Sequence, residues 1–487
     1  RLNQNTTPLV DALKHCATRS NAAFYTPGHK RGQGIAQRHR ELFGDAIFRA
    51  DLPELPELDN LFAPEGVILQ AQQLAAEAFG AEQTWFLANG STCGIEAAIL
   101  ATCGPGDKII VPRNAHISVI SGLILSGAVP IYVSPSYSAE WDMPIGVEPQ
   151  SIERALKEYP DAKAVLVVSP TYQGICSDLG AIAAHTHTHN IPLIVDEAHG
   201  PHFAFHRDLP TTALSSGADI VIQSTHKVLS AFTQAAMLHT QGERIDQSRL
   251  AQSLQLTQST SPSYLLLGSL DAARHQMSTQ GKALMTRTID LANRASHELK
   301  QLSGLRVLQP GSMDSELRGD CTRLTVDVSP LGLTGFDADD PLHTKYGITA
   351  ELPALRTLTF IISLGNTTHD IDQLIEGFTR LCAEHSQTSQ HSEFQGLSPL
   401  SVKTISSSAL TPRQAFFSQK RSLSHKQASG HISAETLCPY PPGIPAILPG
   451  ERITEGAIAH LQPIINAGGI ITGCSDPTLQ TLLVVNE

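Results

Sequence analysis

The strongest constraint on the fold of this chain is an alternation of two sequence patterns between about residues 65 and 240. Short apolar runs rich in β-branched residues lie at 84–87, 108–111, 129–133, 164–168, 193–195 and 219–222. Helix-like segments lie at 66–79, 92–102, 116–126, 151–159 and 178–187. Apolar strands that alternate with helices are typical of a mainly parallel sheet covered on both faces. Such sheets bind ligands at the carboxyl ends of their strands, so we expect chemistry directly after each run.

The rest of the chain indicates smaller units. A helix at 285–302, strands at 323–328 and 358–363, and a helix at 370–384 predict a small α+β domain. Residues 386–408 are rich in Ser, Gln and His without periodicity, which predicts a linker or mobile loop. For 487 residues, about three domains are a reasonable prior. We therefore predict an N-terminal segment with the large domain (1–285), the small domain (286–385), this linker (386–408) and a C-terminal domain (409–487).

Composition argues against nucleic-acid and membrane partners and indicates the cellular compartment. The formal net charge is −12, which argues against a nucleic-acid partner because phosphate binding needs a basic face. No run of 18 apolar residues occurs, and the polar first 20 residues contain no apolar signal region, so no membrane partner is predicted. The eight cysteines are scattered without C-x-x-C spacing, which favours reduced thiols and a cytoplasmic protein.

Two features after predicted strands suggest binding of an anion and of a cation. The stretch Asn89-Gly90-Ser91-Thr92-Cys93-Gly94 opens a helix, where free N–H groups and hydroxyls suit a phosphate. An ordinary helix cap is the alternative. Asp196 ends an apolar strand and needs a cationic or hydrogen-bonding partner, for which a protonated ring nitrogen would serve. A metal ligand or a helix cap is the alternative.

Two further features suggest a nucleophile and a stacking ring. Lys227, in Gln223-Ser224-Thr225-His226-Lys227, follows a strand, where desolvation would make its amine nucleophilic; the alternative is a solvated lysine. His116 could stack on a planar ring or act as a polar helix cap. All four features fall at one edge of the predicted sheet. Together they provide what pyridoxal 5′-phosphate needs: an amine, a carboxylate for the pyridine nitrogen, a phosphate site and a ring to pack against its face.

The same features belong to a series of segments that runs nearly from end to end of the chain. The series comprises Thr26-Pro27-Gly28-His29-Lys30, Leu58-Asp59-Asn60-Leu61, Asp196-Glu197-Ala198-His199-Gly200, Ser224-Thr225-His226-Lys227, Thr260-Ser261-Pro262-Ser263-Tyr264, Thr411-Pro412-Arg413-Gln414-Ala415-Phe416-Phe417, Tyr440-Pro441-Pro442-Gly443-Ile444-Pro445, Pro449-Gly450-Glu451 and Gly473-Cys474-Ser475-Asp476-Pro477. With this set, the chain resembles the fold type I pyridoxal-phosphate decarboxylases of the ornithine/lysine/arginine family. The order of the segments separates this family from aminotransferases, which share the fold.

The resemblance implies a large α/β domain of the aspartate aminotransferase-like fold with a mainly parallel sheet, a small α+β domain and a C-terminal α+β domain. It also implies that Lys227 binds the cofactor covalently, that Asp196 pairs with its pyridine N–H⁺ and that His116 stacks on its ring. The other implied cofactor-binding residues are Ser91, Thr92 and Ser224 at the phosphate, with His226 beside them, and Ala198 and His199 near the ring. Lys227 or His226 would return a proton to the substrate.

One implied position departs from the larger inducible members of the family. Those members resemble one another in having Trp where this chain has His199, which leaves the local contact open but not the chemistry. Glu197 is a weaker candidate for anchoring a histidine or the substrate amine. No metal is predicted. In a helix, the alternate residues His185, His187 and His189 do not share a face. No Cys or carboxylate completes the set His199, His202 and His206 with a known ligand spacing.

The implied activity is decarboxylation of a basic L-amino acid in polyamine biosynthesis. Arginine to agmatine is the first choice of reaction, then lysine to cadaverine, then ornithine to putrescine. Candidates for binding the distal cation of the substrate are Glu54, Glu57, Asp59 and Glu451, each of which could equally be a surface or capping carboxylate.

The sequence also resembles the short members of the family, which lack the N-terminal receiver-like wing domain. We therefore expect a homodimer or a dimer-based oligomer, in which the segments around Gly28 and Thr260 approach the partner's site. An aminotransferase or another lyase acting on a lysine-bound cofactor is the catalytic alternative. A non-catalytic regulator of a decarboxylase is the alternative from another class.

Overall fold

The computed structural model describes residues 1–385, 403–440 and 444–486. Its strands are β1 (Gln83–Leu87), β2 (Lys108–Pro112), β3 (Val129–Val133), β4 (Ser136–Ser138), β5 (Met143–Gly146), β6 (Ala164–Val168), β7 (Leu193–Asp196), β8 (Ile220–Gln223), β9 (Ala236–Thr240), β10 (Arg306–Leu308), β11 (Arg323–Asp327), β12 (Leu352–Pro353), β13 (Thr357–Ile361), β14 (Ile405–Ser407), β15 (Lys420–Ser424), β16 (Cys438–Tyr440), β17 (Ile470–Thr472) and β18 (Thr481–Val485). Its α-helices are α1 (Pro8–Thr18), α2 (Gln37–Phe43), α3 (Ala46–Ala50), α4 (Val67–Phe79), α5 (Gly90–Thr102), α6 (Ile117–Ser126), α7 (Pro149–Glu158), α8 (Leu179–Thr188), α9 (Thr225–Val228), α10 (Gln247–Thr257), α11 (Tyr264–Lys300), α12 (Gly335–Thr344), α13 (Thr368–His385), α14 (Pro412–Phe417) and α15 (Glu455–Asn466).

An eight-stranded sheet forms the centre of the molecule, in the order β1-β9-β8-β7-β6-β2-β3-β14. The run from β8 to β3 is parallel, whereas β9 and β14 pair antiparallel with their neighbours. All six strands predicted in this region are present, and the α/β fold is confirmed. The additional strand β9 reads Ala-Met-Leu-His-Thr, and four of these five residues lack the β-branched character that marks strands in a sequence.

Both faces of this sheet are buried, as the apolar runs predicted. Along β7, Ile194 contributes to the apolar core on one face, while Leu193 and Val195 contribute to the core on the other. Successive side chains of a strand point to opposite faces, so a strand between two helical layers must be apolar at every position. A polar residue is therefore accommodated at the strand's end, where β7 places Asp196.

A smaller antiparallel sheet, β10-β11-β13-β12, packs with α12, α13 and the end of α11. The helix predicted from residue 285 is the last part of α11, which has 37 residues and begins at Tyr264. The predicted boundary at 285/286 thus lies inside a helix. The helix contributes to two apolar cores: Ile289 joins the core that also contains residues of α1 and α4, and Leu291 joins the core beneath the smaller sheet.

The C-terminal residues form two small sheets, β15-β18 and β16-β17, which surround a separate apolar core with α15. Residues 386–402 of the predicted linker lie outside the described residues, and the following residues supply β14 to the edge of the large sheet. Within the described ranges, none of the helices combines the length and apolar character needed to cross a bilayer.

Candidate active site

A pocket of 370 Å³ lies at the carboxyl ends of the parallel strands. Six of the residues predicted from the sequence line it: Ser91, His116, Asp196, Ala198, His199 and Lys227. The loop after β6 contributes Tyr172, and the β16-β17 sheet of the C-terminal domain contributes Cys438 and Thr472. The pocket is therefore bounded by the large domain on one side and the C-terminal domain on the other.

Lys227 enters this pocket from α9, the short helix that follows β8. Its Nζ lies 3.2 Å from His199 Nε2 and 5.6 Å from the centre of the Tyr172 ring. Burial lowers the pKa of Lys227, and the Asp196 carboxylate opposes this by raising it. A lysine with a lowered pKa offers more of the uncharged amine, which is the nucleophilic form.

Asp196 is 6% exposed at the end of β7. Its Oδ1 accepts a hydrogen bond from the backbone N–H of Ala198 at 3.1 Å, and no side-chain cation within the described residues forms an ion pair with it. Burial raises the pKa of Asp196, while His116 and Lys227 lower it. A buried carboxylate with one backbone partner is a strong acceptor for a cationic N–H group.

The N-terminus of α5 faces the same pocket through Ser91. The residue before the helix, Asn89, makes no side-chain cap, so the first N–H groups remain available to an anion. Ser224 Oγ, which is fully buried, donates a hydrogen bond to Ser91 Oγ at 2.8 Å. A Cβ at Gly94 would lie 2.7 Å from Leu87 Cδ1, so glycine is needed for α5 to pack this closely on the sheet.

His116 is the cap of α6 and also lines the pocket, where stacking on a planar ring stays a prediction. Its ring lines the pocket, and its Nδ1 also accepts a hydrogen bond from the Ser118 N–H at 3.1 Å as the cap of α6. Desolvation lowers the pKa of His116, and Asp196 opposes this. The ring is therefore held in place by its own helix at the wall of the pocket.

The other predicted residues lie around the pocket and not in its wall. Thr92 is exposed on the first turn of α5, and Ser224 lies behind Ser91. His226 is partly buried next to Lys227, and both burial and the lysine lower its pKa. Glu197 points away from the pocket: its carboxylate accepts hydrogen bonds from the Ala213 N–H and from Gln223 Nε2, and burial raises its pKa to about 8.

The four carboxylates proposed for the substrate's distal cation have other partners. Glu57 pairs with Arg19, and Glu54 accepts a hydrogen bond from Asn60. Asp59 accepts hydrogen bonds from backbone N–H groups at the start of α4, and Glu451 makes two contacts with Arg113 at 2.6 and 2.8 Å. None of the four lines the pocket, in which Asp196 is the one carboxylate among the described residues.

Arg323 was missed by the sequence analysis. It begins β11 of the small domain, is fully buried, and its Nη2 lies 3.1 Å from His199 Nδ1. The ring of His199 also packs on Tyr172, with 4.4 Å between ring centres. A charged residue at the start of a predicted strand was the available signal, but its partner lies 124 residues away in sequence.

Comparison with known proteins gives matches along nearly the whole length of the chain. The family model for the Orn/Lys/Arg decarboxylase major domain matches residues 7–370, and the model for the C-terminal domain matches residues 399–468. The chain is 40% identical to the arginine decarboxylase of Bacillus subtilis (strain 168), over 100% of this chain and 99% of that protein. It is 26% identical to the lysine decarboxylase LdcA of Pseudomonas aeruginosa, over 93% of this chain and 75% of that protein.

Solved structures share the fold. The constitutive lysine decarboxylase of E. coli superposes with a TM-score of 0.83 at 22% identity, covering 99% of this chain and 82% of that one. A structure of SPT with PLP superposes with a TM-score of 0.51 at 14% identity, covering 66% of this chain and 77% of that one. The sequence and structure matches together confirm the family and the fold predicted from the motifs.

Proposed function

Since the chain belongs to the Orn/Lys/Arg decarboxylase family, we propose that it converts arginine to agmatine, with pyridoxal 5′-phosphate bound to Lys227. Decarboxylation of a basic amino acid follows from the family and from similarity along the whole chain. The observation that carries the cofactor proposal is the meeting of the Lys227 amine and the buried Asp196 carboxylate in one pocket at the carboxyl edge of the sheet.

The residues present fit this cofactor. Asp196 is a buried carboxylate suited to a pyridine N–H⁺, and the uncapped start of α5 with Ser91 and Ser224 is suited to a phosphate. His116 offers a ring whose orientation is fixed by Ser118. When bound, pyridoxal phosphate supplies an electron sink for the electron pair that remains on the substrate's Cα after CO₂ departs.

The protein's own groups would prepare and complete this reaction. Asp196, ionised in a buried site, would keep a neighbouring ring nitrogen protonated. The proton that replaces CO₂ on Cα would come from Lys227 Nζ, because this amine faces the pocket while His226 lies outside its wall. The pocket walls, to which the C-terminal domain contributes Cys438 and Thr472, would limit the access of water to the reacting atoms.

Arginine is proposed as the substrate because identity to an arginine decarboxylase reaches 40% over the whole chain, against 26% to a lysine decarboxylase. The guanidinium of arginine needs acidic partners, and Asp196 is committed to the cofactor. We therefore infer that a second copy of the chain completes the site in a homodimer, with the segments around Gly28 and Thr260 as the candidates for this role. Eight free cysteines are consistent with action in the cytoplasm.

The proposal is tested by incubating the purified protein and pyridoxal phosphate with arginine, lysine or ornithine, and identifying the amine formed. We expect agmatine to form fastest, with release of CO₂ and no requirement for a keto acid. Faster formation of cadaverine or putrescine would overturn the choice of arginine. Turnover that depends on a keto acid, without CO₂ release, would instead support the aminotransferase alternative.

A further inference from the structure

Three buried side chains form a chain of contacts that ends at the amine of Lys227. Arg323 Nη2 lies 3.1 Å from His199 Nδ1, and His199 Nε2 lies 3.2 Å from Lys227 Nζ. Arg323 is 0% exposed and His199 is 5% exposed, so water has little access to the central ring. Each ring nitrogen of His199 therefore has one defined partner.

The chemistry of these partners fixes the direction of both hydrogen bonds. A guanidinium has donors and no acceptor, so His199 Nδ1 must accept from Arg323 and carry no proton. A neutral imidazole then carries its proton on Nε2, which must donate to Lys227 Nζ. An amine can accept only through its lone pair, and Lys227 must therefore be uncharged.

The two other protonation states conflict with the geometry. A lysine ammonium that donated to Nε2 would require the His199 proton on Nδ1, where it would face an Arg323 N–H group. An imidazolium would place the same pair of donors together. Burial and the nearby charge of Arg323 lower the pKa of His199 well below its ordinary value, which also opposes the imidazolium.

Arg323 cannot readily turn away from His199. Its Nη1 donates to the backbone oxygen of Tyr172 at 3.0 Å, and its Nε lies 4.0 Å from Asp320. Gly174 packs against its stem: a Cβ there would lie 2.7 Å from Arg323 Cγ. The guanidinium is thus oriented by the loop after β6, in the large domain, and by the start of its own strand.

Burial of Lys227 also favours the uncharged amine, and the charged groups around it act in both directions. The Asp196 and Glu351 carboxylates favour the ammonium form, whereas the charge of Arg323 opposes it. His116, His226 and the Tyr172 ring also lie near the lysine. Only the uncharged amine can accept a hydrogen bond from His199 Nε2, so this contact favours the amine over the ammonium.

We propose that Arg323 is a positioning residue that fixes His199 as its Nε2–H tautomer and thereby holds Lys227 as an uncharged amine before the cofactor binds. This inference rests on the proposed role of Lys227 as the cofactor's lysine. It adds a residue from the small domain, which does not line the pocket, to the groups that prepare the site.

The first test is a ¹⁵N NMR spectrum of the full-length, cofactor-free protein labelled at histidine nitrogens. His199→Phe supplies the assignment by loss of its signals. We expect a protonated Nε2 and an unprotonated Nδ1 for His199. A proton on Nδ1, or on both nitrogens, of wild-type His199 would overturn the proposal.

The second test is the rate at which trinitrobenzenesulfonate, which attacks uncharged amines, modifies Lys227 at pH 7, measured by peptide mass spectrometry. His199→Phe retains the Arg323 charge but loses the hydrogen bond, and we expect modification to slow about tenfold, equivalent to one pKa unit. Arg323→Met should slow it similarly, and Arg323→Lys should restore it at least in part. An unchanged rate in His199→Phe would show that charge alone sets the state of Lys227. Neither measurement uses substrate turnover, so failure of the proposed decarboxylation would be recognised separately.

Discussion

The close packing of Gly174 against Arg323 gives a prediction whose size follows from the structure. Gly174 has a φ of 84°, a left-handed conformation that costs alanine about 1–2 kcal/mol. A Cβ there would also lie 2.7 Å and 2.9 Å from Arg323 Cγ and Cβ. Crowding a buried stem in this way costs about 1–3 kcal/mol. We therefore expect Gly174→Ala to lower the free energy of unfolding by about 2–5 kcal/mol.

Gly106→Ala is the matched control, because Gly106 has a φ of 82° but no atom lies within 4 Å of the position its Cβ would take. It should lose only the conformational part, about 1–2 kcal/mol. Urea unfolding followed by tryptophan fluorescence measures both losses. Equal losses of unfolding free energy in the two variants would refute the reasoning. They would mean that the Arg323 side chain can move aside at no energetic cost and is not held by close packing against the loop.

Three further changes test other parts of the site. Asp196→Asn removes the charge but keeps the shape of the side chain, and should lower turnover at least about a hundredfold, measured by agmatine formation. Circular dichroism should show that the fold is retained. Ser224→Ala loses the 2.8 Å hydrogen bond to Ser91 and should weaken binding of pyridoxal phosphate about threefold to tenfold in a fluorescence titration; unchanged affinity would separate Ser224 from the phosphate site. Burial raises the pKa of Glu197 from 4.5 to about 8, so between these pH values the folded protein binds a proton that the unfolded chain has lost. The stability of the wild type should therefore fall relative to that of Glu197→Gln as pH rises from 4.5 to 8. Parallel urea midpoints of the two proteins across this range would contradict that assignment.

Much of the site could be predicted because it depends on local pattern. Asp196 and Lys227 each follow an apolar run, and parallel strands bring the residues after such runs to one edge. The period of two along a strand also explains why neighbours differ: Asp196 faces the pocket, while Glu197 turns to the other side and bonds with Gln223.

What could not be predicted depends on packing between distant segments. Arg323 meets His199 only because β11 of the small domain docks beside the loop after β6, and no local pattern encodes that approach. The continuity of α11 across the predicted boundary at 285/286 was similarly hidden, since one helix contributes to two apolar cores. The four carboxylates considered for the substrate's distal cation do not line the pocket of their own chain, and their partners depend on the fold, as Asp59 illustrates at the start of α4.

The role of Lys227 in arginine decarboxylation is tested most directly by measuring agmatine formed from arginine by the wild type, Lys227→Ala and Lys345→Ala, each supplied with pyridoxal phosphate. Lys345 lies on the surface, where it pairs with Glu384, and serves as the control for removal of a lysine. We predict agmatine from the wild type and Lys345→Ala at similar rates, and none above background from Lys227→Ala. Agmatine formation by Lys227→Ala at the wild-type rate would contradict the assignment of the cofactor lysine and of the pocket around it.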